Sequence, residues 1–180
     1  MIEIKELEQK DIIKAIEIKE SCWPEEIQGK SKAQFEREKE LAFWSKWMIS
    51  SAENNDDRKL YGAFDHNLLI SVIFASFAEP EDSLNGIEIN GLWVDSKHRG
   101  KGLSLYLLKK VIEYYLELGR KEIIIYNFHF SSSNPFYKKL GARIIKNTYQ
   151  LEEKIPVDVF VSDLNEMLDN INYRIINYKL

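Results

Sequence analysis

A mixed α/β fold is predicted by two patterns: a pair of β-rich runs split by turn-forming residues, and a strand, helix, strand succession around a glycine loop. The first pattern, residues 60–64 and 68–77 around Asp65-His66-Asn67, reads as an antiparallel hairpin. The second places runs at 87–94 and 122–128 on either side of a helical stretch at 104–118. A helical crossover of that length requires its two strands to lie parallel. One sheet with antiparallel and parallel parts follows.

The remaining elements fall around these. Residues 2–4 suggest a short first strand, and residues 9–22 an apolar-periodic helix that ends at Trp23-Pro24, because the residue before proline is pushed out of the helical region. A second helix is expected over 31–50, with Ser31 as N-cap and Phe35, Leu41, Trp44, Trp47 and Met48 as its apolar stripe. Residues 51–57 and the acidic stretch 79–85 are loops. Leu105, Leu108, Val111, Ile112, Tyr115 and Leu116 recur at helical spacing, and Gly119 suits the residue after that helix. Asn134-Pro135 opens a short helix closed by Gly141, and 143–151 returns as strand. In the tail, Ser162 or Asp163 caps a helix carrying Leu164, Met167, Leu168 and Ile171, with 173–178 as a last strand.

The chain has 180 residues, 44% of them hydrophobic and 30% charged, which suits one globular domain over 1–180. A formal net charge of -4 argues against a nucleic-acid surface, which needs concentrated Lys and Arg. The first residues are charged, not basic-then-apolar, and the longest apolar run, around 68–77, is too short to span a bilayer. A cytoplasmic protein without membrane partner is therefore expected, as monomer or homodimer. The single cysteine, Cys22, forms no internal disulfide, and no Cys/His spacing resembles a metal site.

Chemistry concentrates in Arg99-Gly100-Lys101-Gly102-Leu103-Ser104, between a strand and the long helix. Two glycines let the backbone approach a ligand closely, and the helix start offers unpaired N–H groups and the positive end of its dipole. With Arg99 and Lys101 beside it, this is an anion site suited to a pyrophosphate. A P-loop would need glycine at Asp95 and Ser or Thr at Gly102; a dinucleotide loop would need glycine at Leu105. A plain strand-to-helix connection is the other reading that survives.

The same six residues resemble the acyl-CoA signature of the GNAT superfamily of N-acetyltransferases: Gln or Arg, any two residues, Gly, any residue, then Gly or Ala. Ser104 is small but departs from the last position. Leu92-Trp93-Val94-Asp95 is similar to that family's fourth strand, and Asn134-Pro135-Phe136-Tyr137-Lys138-Lys139-Leu140-Gly141-Ala142 to its FYxKLGF segment, with Ala142 where phenylalanine is usual. The motifs span about 60–151 and leave 152–180 as a C-terminal element. The resemblance implies the family's fold, a mixed sheet of about six to seven strands, antiparallel in its N-terminal part, with parallel fourth and fifth strands and flanking helices.

It also implies acetyl-CoA as cosubstrate and a primary amine of a small molecule or peptide as acceptor. Carried over by position, Arg99, Gly100, Lys101, Gly102, Leu103 and Ser104 hold the pyrophosphate, and Leu92, Trp93 and Val94 meet pantetheine and the thioester carbonyl. Phe130 stands where many members have an asparagine, so Asn127 or Asn134 would substitute. The first two helices shape the acceptor pocket in that family, which points to Trp23, Glu25, Glu26, Phe43 and Trp47.

A protonated alkylamine must lose a proton before attacking a thioester, and the departing thiolate benefits from a donor. Glu88 is the candidate base: on an alternating strand it shares a side with Asn90, Leu92 and Val94. Its other reading is a solvent-facing strand carboxylate. Tyr137 stands where the family has its acid, and is otherwise a packed aromatic at a helix end. An acyl-CoA-binding sensor of the same fold, lacking an effective base, is the alternative to an enzyme.

Overall fold

The computed structural model describes residues 2–51, 56–150 and 155–177. One seven-stranded sheet runs in the order β1-β2-β3-β4-β5-β7-β6. Its strands are β1 (Ile2–Glu6), β2 (Lys59–Asp65), β3 (Leu68–Phe77), β4 (Gly86–Val94), β5 (Glu122–Phe128), β6 (Arg143–Gln150) and β7 (Ile155–Asp163). Every neighbouring pair is antiparallel except β4 and β5, which pair in parallel. The hairpin and the crossover expected from the sequence are both present.

Helices cover the two faces. On one face α3 (Leu103–Glu117), α4 (Asn134–Lys139) and α5 (Leu164–Asn177) bury Leu107, Leu108, Val111, Ile112, Leu140, Met167 and Ile171 against Ile73, Ile87, Ile89, Ile123, Ile125 and Phe160. On the other, α1 (Ile12–Ile27) and α2 (Arg37–Ile49) set Ile12, Ile16, Ile18 and Trp44 against Leu60, Leu69, Val72, Phe74 and Trp93. Each fully buried aliphatic side chain contributes about 1.5–3 kcal/mol. The sheet is therefore held from both sides, and its middle strands form the rigid floor of the site. No helix of the described residues is long and apolar enough to cross a membrane.

Four local expectations are corrected. Helix α1 does not stop at Cys22 but runs through Trp23 and Pro24 to Ile27, closing on Gln28 in the left-handed region with its N–H on the Pro24 carbonyl at 3.1 Å. Proline removes one helical hydrogen bond, and the last turn is retained by side-chain anchors: Trp23 Nε1 donates to Ala33 O at 3.2 Å and Trp93 Nε1 to Glu26 Oε1 at 2.6 Å. Helix α2 starts at Arg37, not Ser31, because the Ser31 hydroxyl accepts the N–H of Ala33 at 3.0 Å and Trp23 takes the Ala33 carbonyl.

In the tail, residues 173–177 extend α5, where Ile171 and Ile175 continue the apolar row of Leu164 and Met167; residue 178 lies outside the described residues. Asp163 caps this helix, its Oδ1 accepting from Asn165 N at 2.9 Å and Glu166 N at 3.0 Å. The additional strand is β7, inserted between β5 and β6 before that helix. Finally, β4 does not alternate along its whole length. Phe74 pairs with Gly91 but Ala75 with Ile89, so Asn90 is a bulge. Beyond it the faces exchange: Leu92 joins the cluster of Ile87 and Ile89, while Trp93 joins that of α1. Glu88 therefore does not share a side with Leu92.

Candidate active site

The bulge at Asn90 sits where the parallel pairing ends. Strands β4 and β5 are matched from Gly86 and Glu122 to Ile89 and Ile125 and no further; β5 continues along β7 and β4 along β3. The two strands part, and the residues from 90 to 94 keep a strand neighbour on one side only. A cleft opens in the fork. It consists of a larger cavity of about 700 Å³ and a smaller chamber of about 340 Å³, which share Glu26, Leu92, Trp93, Ser104, Ser131, Ser133 and Phe136 as lining.

The larger cavity begins at the end of β4. Val94 leads through Asp95, which caps the short turn Ser96–His98 by accepting the Lys97 N–H at 2.9 Å, into the glycine loop and α3. Gly100 and Gly102 take φ of +75° and +71°, a region costly to residues with a Cβ, and a Cβ at Gly100 would point into open space. This backbone turns its amides outward. The N–H groups of Gly100, Lys101, Gly102, Leu103 and Ser104 have no acceptor among the described residues. Five successive free donors at the positive end of a helix form a cradle for an anion.

Around the cradle Arg99, Lys139 and Arg174 line the cavity together with Glu25 and Glu26, so cations are in slight excess there although the chain as a whole is acidic. Lys139 and Arg174 are brought together from α4 and α5, with Arg174 Nη2 donating to the Lys139 carbonyl at 3.0 Å. Arg99 is bound to α1: its guanidinium pairs with Glu25, donates from Nε to Val94 O at 3.2 Å and reaches Cys22 Sγ at 3.4 Å. Cys22, Glu25 and Glu26 lie at i, i+3 and i+4 on the extended last turns of α1, so the continuation through Pro24 is what carries both carboxylates to the fork. Burial pushes the Cys22 thiol up, which keeps it protonated.

Tyr137 lines the smaller chamber, its ring packed against Phe136 and Phe160 with centroids 5.3 and 6.1 Å away. Its hydroxyl has no hydrogen-bond partner among the described residues. Burial, and secondarily the Glu26 carboxylate, raise its pKa, so it retains its proton at neutral pH. Glu88 lies beside the chamber but does not line it; Asn90, which does, donates from Nδ2 to Glu88 Oε1 at 3.3 Å. Burial, reinforced by Asp82 and Glu79, pushes the Glu88 carboxyl up to about 7.

The other residues singled out in the sequence divide. Trp23 and Glu26 line the chamber and Glu25 the larger cavity, whereas Phe43, 56% exposed on α2, and Trp47, stacked on Arg58 at 4.6 Å, line neither. Leu92, Trp93 and Ser104 face both spaces; Val94, Gly102 and Leu103 face the larger one. Lys101 is exposed beside the cradle and lines neither. Asn127 lines the chamber and donates to Ser133 Oγ at 2.8 Å and Asn134 Oδ1 at 2.7 Å. Asn134 is buried with its amide committed to the carbonyls of Phe128 and His129, and faces neither cavity.

Sequence reading missed Lys19, Asn90, Ser131, Ser133, Phe136, Lys139 and Arg174. Phe136 and Lys139 flank Tyr137 closely enough to have been taken with it. Arg174 carries no local signal, since only the packing of α5 brings it to the cleft.

A forked parallel strand pair with an amide cradle at the start of the following helix defines the class as an acyltransferase fold. The chain belongs to the acetyltransferase (GNAT) family, whose sequence model matches residues 14–142. No curated protein sequence matches it. Among solved structures it is similar to an N-acetyltransferase from Staphylococcus aureus Mu50, with a TM-score of 0.71 and 14% identity over 91% of this chain and 99% of that one. It is also similar to the PaiA N-acetyltransferase from Thermoplasma acidophilum in complex with coenzyme A, with a TM-score of 0.67 and 20% identity over 91% and 99%. A phosphinothricin acetyltransferase from Sinorhizobium meliloti in complex with AcCoA gives a TM-score of 0.67 and 13% identity over 90% and 88%.

Proposed function

We propose that the protein transfers an acetyl group from acetyl-CoA to a primary amine by direct attack within a ternary complex. The observation that carries this reading is the run of amides from Gly100 to Ser104, which have no acceptor among the described residues and open on the same fork as the Tyr137 hydroxyl, likewise without a partner among them. The donor set fits a phosphorylated cosubstrate: neutral amides at a helix start, with Arg99, Lys139 and Arg174 around them. Leu92, Trp93 and Val94 would flank its extended arm. Acetyl-CoA supplies, when bound, the thioester whose acyl carbon accepts the amine.

The protein's own groups manage the protons. Glu88, poised near neutrality, serves as base; Asn90 donates to its carboxyl and positions it, and the amine's proton reaches it through solvent, since an amide relays no proton. Tyr137 keeps its proton available for the leaving sulfur. Holding both partners in one fork replaces a bimolecular encounter by a local one. Of the two asparagines considered, Asn127 is the one open to the chamber.

A second reading, an acyl-CoA-binding module without turnover, is favoured by one observation: Glu88 does not line the chamber. A thiol-release assay with acetyl-CoA and a panel of alkylamines, polyamines, amino acids and peptide N-termini separates the two. Thiol release with any amine supports transfer. A rise in Tm with acetyl-CoA but no release supports the binding module, and neither response removes both.

A further inference from the structure

Among the described residues, the charged side chains lining the smaller chamber are Lys19 and Glu26. Lys19 has its charge committed: Nζ lies 2.6 Å from Glu40 Oε2, an oxygen that also accepts Trp44 Nε1 at 2.8 Å. The same ammonium sits over the rings of Trp44 and Trp93 at 5.3 and 5.1 Å. Glu26 is the reverse case. Its Oε1 accepts from Trp93 Nε1 at 2.6 Å, its Oε2 has no partner among the described residues, and it forms no ion pair. Arg99, the other cation near it, is taken by Glu25.

Glu26 is half-buried, and the two cations near it, Lys19 and Arg99, are paired with Glu40 and Glu25, so its second oxygen is open to a ligand's ammonium. A second acceptor points the same way. Asn90 lines the chamber, and its Oδ1 is buried with no hydrogen-bond partner among the described residues. An ammonium has donors for both oxygens. Trp23 and Phe136, in the same lining, present ring surface to a cation or to an apolar body. A carboxylate on the ligand would meet no uncommitted cation and would face Glu26, a repulsive contact that selects against it. The volume, about 340 Å³, is at the small end for ligand sites.

We propose that the chamber takes a small amine that is positively charged and has no carboxylate beside its nitrogen, with Glu26 and the Asn90 carbonyl as its acceptors. This assignment rests on the transfer reaction proposed above for the same fork. It makes Glu26 a specificity residue and separates simple amines from amino acids as acceptors.

Three probes of one skeleton test it: 2-phenylethylamine, the neutral 2-phenylethanol, and phenylalanine, which adds the carboxylate. Their binding to the full chain is measured by NMR titration at neutral pH, for the wild type and Glu26→Gln. The wild type should bind the amine at least about tenfold more tightly than either analogue, and Glu26→Gln should lose that preference. A cooperative thermal melt of each free protein reports an intact fold. Phenylalanine binding as well as the amine, Glu26→Gln keeping the preference, or no probe binding at millimolar concentration each overturns the assignment. If Glu26→Gln fails to fold, the wild-type comparison of the three probes still decides. Thiol release from acetyl-CoA with 2-phenylethylamine is measured separately. Preference without release overturns transfer and leaves the chamber's assignment; release without preference does the opposite.

Discussion

The side chain of Arg99 donates to the carbonyl of Val94 at 3.2 Å, so the first residue of the glycine loop is fastened to the last residue of the strand that borders the cleft. The same guanidinium is held by Glu25 from α1. Cradle, strand end and first helix thus meet at one side chain, and a phosphate entering the cradle must compete with Glu25 for it. Glu25→Gln should therefore tighten CoA binding by roughly two- to fivefold, the scale of an exposed ion pair. Calorimetric titration checks this; an unchanged or weaker affinity would mean that Arg99 acts only by positioning Val94.

Gly100 and Gly102 are in left-handed backbone conformations, and at Gly100 no neighbouring atom would touch an added methyl group. Gly100→Ala should then lose stability through backbone strain alone, about 1–2 kcal/mol, with CoA affinity falling as the cradle relaxes. Urea denaturation and CoA titration of the same variant measure the two effects. A variant as stable as the wild type with full CoA affinity would contradict the role assigned to this loop.

Tyr137→Phe removes a hydroxyl that bonds to no group among the described residues, so the fold and CoA affinity should change little. Turnover should fall by roughly 100-fold or more, the usual contribution of a positioned acid. Steady-state kinetics beside a thermal melt make the comparison, and a fully active variant would exclude Tyr137 as the proton donor.

In the proposed reaction Glu88 should carry the pH dependence. Its carboxyl is raised from 4.5 to about 7, chiefly by burial, so activity should climb as pH passes 7 and then level off. Glu88→Gln should lose that inflection. The stability sign is opposite: a carboxyl raised in the folded state stabilises fully below its unfolded pKa, and this is lost as pH rises from 4.5 through 7. Relative to the wild type, Glu88→Gln should therefore gain stability between pH 4 and pH 8, on the order of 3 kcal/mol. Denaturation curves at the two pH values test the sign.

Much of this architecture was legible because local rules and packing agree. The hairpin of β2 and β3, the crossover from β4 through α3 to β5, and the glycine loop each have short-range signatures. Where the expectation failed, a distant partner had overruled the local signal. Pro24 reads as a helix end, yet Trp93, Ala33 and Arg99 anchor the turn beyond it. The side on which Glu88 lies depends on the bulge at Asn90, which is defined by its offset against β3 and has no residue type of its own. The place of β7 between β5 and β6 depends on pairing that runs against chain order. Arg174 illustrates the same limit within the site: it stands 75 positions after Arg99 in sequence, and the two line one cavity.

The parting of β4 and β5 has a bearing on solubility. A strand with one side unpaired is ordinarily an invitation to other chains, and outer edges need charge, proline or cover to remain solitary. Here the unpaired stretch from 90 to 94 lies in the middle of the sheet, between a strand that continues along β7 and a helix that starts at Leu103. It is thus an inner stretch of unpaired backbone, set apart from the outer strands β1 and β6 where another chain's strand would ordinarily add.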